Sequence, residues 1–390
     1  MPGIASHDQL VNALSNGQSF RSIWGKNFNP TAAAVANEWH TLFRGAGNPG
    51  ADALFNTGTN LAFQAVKDNT ANAAAMQHGG NVQPSFYKYL MSGSARSAAA
   101  TVVPCTLALI DVVGFYRVTS VTTATAQATA NTLGQTDTFT ADAPTDVCTW
   151  TSSANIPSNL LTGTRVRATT TTTLPAGLAL ATDYFFIRMS DTTFKLATTN
   201  ANAIAGTAIN ITDAGTGTHT LNWLLPRYTN GGGVNAMFFN SNATALGAAV
   251  PNLALGYSNS AQASGRATPT VLPIGKTAAS NSHILYTGAT GTGKYNYAMP
   301  LQSGDAGIAE IATIQNSISY VSGEYSVALF RELAQWPLST LGLAAEQNFL
   351  FGYPSLPRVY DGAALYWLVG SGVATPASSA FSGDLNFVWS

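Results

Sequence analysis

The chain has 390 residues, only 9% of them Asp, Glu, Lys or Arg, and a formal net charge of −1. An ordinary soluble domain is about 25% charged; here no basic cluster grips phosphates, which excludes direct nucleic-acid binding, and little charge remains to keep a bare surface dissolved. No apolar run reaches the roughly 18 residues of a membrane-spanning helix, so no membrane partner is expected.

Thr, Asn, Ser, Ala and Gly stand where charge would be. Interface cores are depleted in Lys, Glu and Asp, so copies of the chain or neighbouring proteins are expected to cover this surface. The opening MPGIASHDQL has neither the cationic nor the apolar part of a secretory leader. Cys105 and Cys148 fall in different predicted units, without disulfide or zinc spacing. Two buried thiols and assembly in a reducing cytoplasm are expected.

In chain order, Asp8 to Leu14 has Leu10, Val11 and Leu14 at helical spacing. Thr31 to Phe43 is a second amphipathic helix candidate, capped by Thr31 and stopped at Gly45. Gly25 to Pro30 and Gly45 to Gly50 read as loops, and Leu61 to Asp68 as a short element of undecided type. Phe86 to Met91 is an aromatic run after Gly79-Gly80. Residues 1–100 are therefore expected to form a partly helical arm. Val102 to Val118 is strongly apolar, but Pro104 and Gly114 argue against one helix. Strands, or a short helix then a strand, both fit. Thr119 to Asn131 alternates like a two-faced strand or linker.

Residues 133–224 read as an inserted small β module. Thr138 to Trp150, Arg165 to Thr173, Tyr184 to Met189, Phe194 to Leu196 and Ala208 to Thr212 are strand-like runs closed by turn residues. The flanks, Ala130-Asn131-Thr132 and Leu225-Pro226-Arg227, could join directly in a simpler protein. Residues 101–132 and 225–390 then form the host domain. Its strand-length runs are Val234 to Asn240, Leu253 to Tyr257, Ser282 to Thr287, Tyr295 to Leu301, Ile308 to Ile318, Tyr325 to Phe330, Leu365 to Val369 and Leu385 to Trp389. Strands without interleaved long helices indicate a mainly β fold, with a jelly-roll or β-sandwich host domain.

The phrases LPAGL from Leu174, DYFFI from Asp183 and TFKLATTNANAIAGTAINITDAGTGTH from Thr193 carry a resemblance. In that order they are similar to a small β module inserted or appended in structural proteins of tailed-bacteriophage virions. The match covers about a quarter of the chain. The phrase Pro354-Ser355-Leu356-Pro357, followed by Tyr360-Asp361-Gly362-Ala363, resembles the ends of other phage structural proteins. The resemblance implies a virion location and assembly in the bacterial host cytoplasm. It implies a capsid-associated role, as decoration (cement) protein or shell subunit, in a homo-oligomer taken as a trimer. The other virion proteins, above all the major capsid protein, would be its partners. No long charged spine helix is visible, which favours decoration over the common shell subunit. The alternative is a tail or tail-fibre protein whose module binds host glycans, with Trp150, Tyr184 and Trp223 stacking on sugars.

Chemistry is thin. Gly288 to Tyr295 has the glycines and lysine of a phosphate loop, but Tyr295 stands where Mg²⁺ needs a hydroxyl and no helix start follows. The five histidines lack metal-ligand spacing. Acids lie near one another at Asp305 and Glu310, Glu324 and Glu332, and Asp183 and Asp191. Arg331-Glu332 and Arg358 with Asp361 are read as local or intersubunit ion pairs. No catalytic, cofactor or metal residue is assigned, and the chain is expected not to be an enzyme. Two stiff loops are the candidate subunit contacts: the glycine turn at Gly304 and Asp305, and the proline-set loop of Tyr353, Pro354, Leu356, Pro357 and Arg358.

Overall fold

The structure is a computed structural model. It describes residues 4, 6–28, 38–57, 59–71, 73–83, 85–98, 103–119, 126–129, 135–152, 155–157, 160–242, 246, 252–268, 272–273, 284, 296–319, 322–352, 356–372 and 379–390. The chain is mainly β, as its strand-like runs indicate, with antiparallel sheets packed face to face.

Two 15-residue strands, Cys105–Thr119 and Glu324–Leu338, pair along their whole length. At about 3.3 Å per residue each spans roughly 50 Å. Asn235–Asn240 and Leu365–Ser371 flank them, with Trp39–Thr41 at the far edge and Phe63–Ala65 beside Cys105–Thr119. Gly114 permits that last contact, because a Cβ there would stand 2.3 Å from the Phe63 ring. Both faces of Cys105–Thr119 are buried. Its sequence is therefore continuously apolar, and periodicity alone leaves helix and strand open.

This central sheet serves two sandwiches on one face. At one end Leu107, Leu109, Trp336 and Trp367 pack on Trp24, Leu90, Phe381 and Phe387. Those come from a second sheet, ordered Ala345–Asn348, Lys88–Ser97, Ser379–Trp389, Ser19–Phe28 and Gly47–Asn48. At the other end Tyr116, Val118, Tyr325 and Val327 pack on Leu253, Leu255, Ile311 and Ile314. Those belong to a third sheet, ordered Arg266–Ala267, Asn252–Asn259, Ile308–Asn316 and Ala126–Ala128. The register shift between Glu332 and Ala334 inserts one residue and changes the parity of the inward side chains. Trp336 and Leu338 thus face the same way as Tyr325 and Val327. The opposite face lies under connecting segments through Phe43, Phe55, Val66 and Tyr297.

Several expectations change. The helix expected from Thr31 to Phe43 is replaced, where described, by the strand Trp39–Thr41; 31–37 lie outside the described residues. Within 1–100, the helix His7–Ser15 is present, but Ser19–Phe28 and Lys88–Ser97 are ten-residue strands of the second sheet. Gly25 to Phe28, read as loop, belongs to the first of them. The expected strand Tyr295 to Leu301 is irregular over 296–301. Tyr325 to Phe330 extends through the shift to Leu338.

Residues 135–223 form a closed six-stranded barrel of Arg165–Thr170, Asp183–Arg188, Thr193–Ala197, Val147–Trp150, Gln135–Asp142 and His219–Trp223. Phe139, Trp150, Tyr184, Phe186, Phe194 and Trp223 fill it. Ala208 to Thr212, expected as a strand, is irregular. A short helix Asn200–Ala205 precedes it, capped by Thr199 and ended by Gly206 at φ 77°, a conformation cheap only for glycine.

The barrel leaves into the core. Leu224, Leu225 and Tyr228 join the cluster between the central and third sheets. Arg227, 1% exposed, meets fully buried Asp111. Its Nε donates to Oδ2 at 2.9 Å and its Nη2 to Oδ1 at 2.6 Å. Nη1 donates to the Val66 carbonyl at 2.9 Å and Nη2 also to that of Val112 at 2.8 Å. Removing one partner of such a pair leaves an uncompensated buried charge. Arg227→Met is expected to cost about 3–5 kcal/mol in denaturant unfolding, and the added Asp111→Leu change to recover much of that loss.

Candidate functional site

Many of the ionised side chains pair with one another within the chain. Arg117 pairs with Glu324 at 2.6 Å, Arg188 with Asp191 at 3.1 Å and Arg21 with Asp384 at 2.9 Å. Arg165 spans Asp183 and Glu310, tying barrel to third sheet, and Arg167 also reaches Asp183. Among the described residues, eight of the chain's 17 Lys and Arg and eight of its 18 Asp and Glu lie in ion pairs within the chain. Lys26, buried, donates to the carbonyls of Phe43, Gly45, Pro49 and Gly50. Burial pulls its ammonium down to about 8, against the opposing charge of Asp52. What faces solvent is largely hydroxyl and amide, as in the Thr169–Thr220 and Thr151–Thr138 contacts across the barrel wall.

Of the candidate contact residues, Gly304 sits at φ 87° in its turn. Asp305 is the hub of an internal network. Its Oδ2 accepts from Tyr257 Oη at 2.6 Å and Arg266 Nε at 3.0 Å; its Oδ1 accepts from Asn259 Nδ2 at 2.7 Å and Arg266 Nη2 at 3.0 Å. Arg266, then Tyr257, hold the carboxyl down to about 2. Tyr353 and Pro354 lie outside the described residues. Leu356 packs on the core between the central and second sheets. The Pro357 carbonyl accepts from Leu90 N at 2.9 Å. Arg358 lies between the rings of Tyr87 and Tyr360, 3.8 and 4.2 Å from their centroids.

Within the chain Arg358 makes that stacking, while Asp361 lies 3.7 Å from Lys88 Nζ. Arg331 donates to the Gly232 carbonyl, while Glu332 accepts from Tyr297 Oη, so neighbours in sequence have separate partners. The neighbouring acids likewise go to different groups: Asp305 to Arg266, Glu310 to Arg165, Glu324 to Arg117 and Asp191 to Arg188. Trp150, Tyr184 and Trp223 are each 4% exposed in the barrel interior, so these rings offer no platform to a sugar. The Gly288 to Tyr295 loop lies outside the described residues.

A cleft of about 400 Å³ opens at the ends of the long strands, lined by Trp39, Pro104, Cys105, Gln335, Leu338 and Gly372 among others. Its one thiol, Cys105, is pushed by burial up to about 12 and stays protonated at neutral pH. Among the described residues no three His, Cys, Asp or Glu side chains gather as metal ligands.

A buried titratable cluster lies elsewhere, and no sequence spacing announced it. The Lys88 side chain, 0% exposed, places Nζ 2.8 Å from His78 Nδ1 and 3.7 Å from Asp361 Oδ1. It also donates to the Gly80 carbonyl. His78 Nε2 lies 3.2 Å from Asp68 Oδ2, close but poorly aligned for a hydrogen bond. Asp361 Oδ2 accepts from the backbone N–H of Val82 at 3.0 Å and of Gln83 at 2.8 Å.

No protein-family model and no curated protein matches the chain. Solved structures similar over most of its length include the VP2 subviral particle of infectious bursal disease virus, at 10% identity and a TM-score of 0.15, covering 95% of this chain and 80% of that one. The Gt strain of the same virus aligns at 10% identity and a TM-score of 0.16, covering 99% and 81%. Superposition this loose carries no argument about fold or role.

The Asp305 network has a pH signature. Its carboxyl is held below the ordinary range near 3.9, so its contribution is present above about pH 4 and lost as pH falls through the folded value of about 2. Thermal melts between about pH 5 and 2 are expected to fall less steeply for Asp305→Asn, which starts from a lower stability at neutral pH.

Proposed function

We propose that the chain is a non-enzymatic structural protein of a tailed-phage virion. Its place is on the capsid, as a decoration or cement protein or a shell subunit, and it works as a homo-oligomer, taken as a trimer, against the major capsid protein. The work is mechanical: neutral polar and apolar surface is buried between subunits, which resists outward pressure on the shell.

The observation that supports this reading most is the fate of the charges. In a chain with only 9% Asp, Glu, Lys and Arg, nearly half of these, among the described residues, are committed to pairs within the chain, and further ones to burial, as at Lys26 and Asp52. Neutral hydroxyl and amide surface desolvates at lower cost than ionised surface when subunits meet. The sheet edges fit the same picture. Eight of the nine, among the described residues, are strands of two to four residues, and the barrel has none. Short edges discourage open-ended strand pairing, which favours closed assembly through faces and loops.

Sedimentation over a range of concentrations is expected to show a discrete oligomer. Mass spectrometry of purified particles is expected to find the chain in head-like copy number. A lasting monomer at high concentration that is also absent from particles would overturn the reading.

A further inference from the structure

The Lys88 cluster has more parts than a structural ion pair needs. A nucleophile, a base touching it, an acceptor carboxyl and two backbone donors on one acceptor oxygen stand together in a largely dry site. We propose that Lys88 and Asp361 join through an intramolecular amide, an isopeptide bond that the chain forms on itself. Lys88 Nζ is the nucleophile, Asp361 Cγ the acceptor and His78 the base. Asp68 is a positioning residue for His78.

The two carboxyl oxygens are already distinguished. Oδ2 receives the N–H of Gln83 at 2.8 Å and shares that of Val82, 3.0 Å away, with Oδ1 at 3.1 Å, so Oδ2 holds the larger share of the donors that would stabilise a developing oxyanion. Oδ1 stands 3.7 Å from Lys88 Nζ, and bond formation requires the amine and carboxyl to close so that Nζ meets Cγ at near-attack range. His78 Nδ1 faces Nζ at 2.8 Å. In the tautomer that carries its proton on Nε2, the side of Asp68, the Nδ1 lone pair faces the amine. Burial pulls the Lys88 ammonium below its ordinary range, while the charges of Asp361 and Asp68 oppose that shift. A desolvated site favours the neutral amine over the ammonium, because charge is what burial penalises.

The atoms balance without any co-reactant. One ammonium proton passes to Oδ1, leaving an amine beside a carboxylic acid. The amine lone pair forms the Nζ–Cγ bond, and the Cγ–Oδ2 π electrons move onto Oδ2, held by Val82 and Gln83. His78 Nδ1 takes a proton from the new C–N nitrogen and returns it to Oδ1. The Cγ–Oδ1 bond breaks, the carbonyl reforms at Oδ2, and one water leaves. Nothing is oxidised or reduced. The bond ties the Lys88–Ser97 strand of the second sheet to the turn after Arg358–Val359, two segments already hydrogen-bonded as neighbours. It stands apart from any place in a particle.

Intact-mass measurement of the purified full chain under denaturing conditions tests it. The expected mass is one water below that of the sequence, and trypsin is expected to leave a branched peptide joining Lys88 to Asp361. Lys88→Arg and Asp361→Ala are expected at their full sequence masses. Asp361→Asn is expected to close the same bond with loss of ammonia in place of water. In freshly synthesised chain, His78→Gln is expected to slow the mass loss at least tenfold with an unchanged circular dichroism spectrum. A parent protein at full sequence mass, cleaved after Lys88, overturns the proposal. So does a mass loss that survives Lys88→Arg.

Discussion

The buried contact between Arg227 and Asp111 is the constraint on which the rest depends. A guanidinium and a carboxylate removed from water lose several kcal/mol each unless every polar atom is answered. Here the answers come from four places: the Cys105–Thr119 strand, the Val66 carbonyl, the barrel's outgoing segment and the Ala364 N–H, which donates to Asp111 Oδ1 at 3.0 Å. The pair can be buried only when all four are in place. Asp111 stands between Leu109, which faces the second sheet, and Val113, which faces the third. One ionic contact thus sits where two sandwiches and a barrel meet, and it penalises any arrangement in which one is displaced.

The same economy of charge runs through the molecule. Lys26 gathers four carbonyls, Asp305 four side-chain donor contacts, and Arg358 two aromatic faces. Each ties a turn or short strand to its neighbours. Ionised groups are spent on internal positioning, so the exterior is left to hydroxyls and amides. That exterior dissolves poorly by charge but desolvates readily, which links the interior chemistry to the proposed assembly.

The parts of the fold that were readable are those where one face of a strand is buried and the turn residues are conventional. Asn235–Asn240, Asn252–Asn259, Ile308–Asn316 and most barrel strands fall close to where alternation placed them. Ser19–Phe28 escaped because its inward row is Phe20, Ser22, Trp24, Lys26 and Phe28, so a serine and a lysine interrupt the apolar signal. Lys88–Ser97 escaped because Gly93, Ser94 and Ala95 are small where Trp336 crosses; its Nε1 donates to the Gly93 carbonyl at 3.0 Å. The glycine and proline loops are legible as stiff, but stiffness carries no local signal of partners: the contacts of Asp305 and Arg358 within the chain come from segments distant in sequence.

By itself the sequence determined a mainly β chain with a compact module near its middle, a near-neutral surface and no local metal or nucleotide signature. Those are properties of composition and of spacings within a few residues, which short-range sterics and burial patterns suffice to express. The tertiary structure decided the rest: the shared sheet, the register shift that keeps Trp336 facing inward, the Arg227–Asp111 contact and the meeting of His78 and Lys88 with Asp361. Each depends on segments far apart in the chain arriving at one place, and a pairing of that kind leaves no local periodicity from which it could be read.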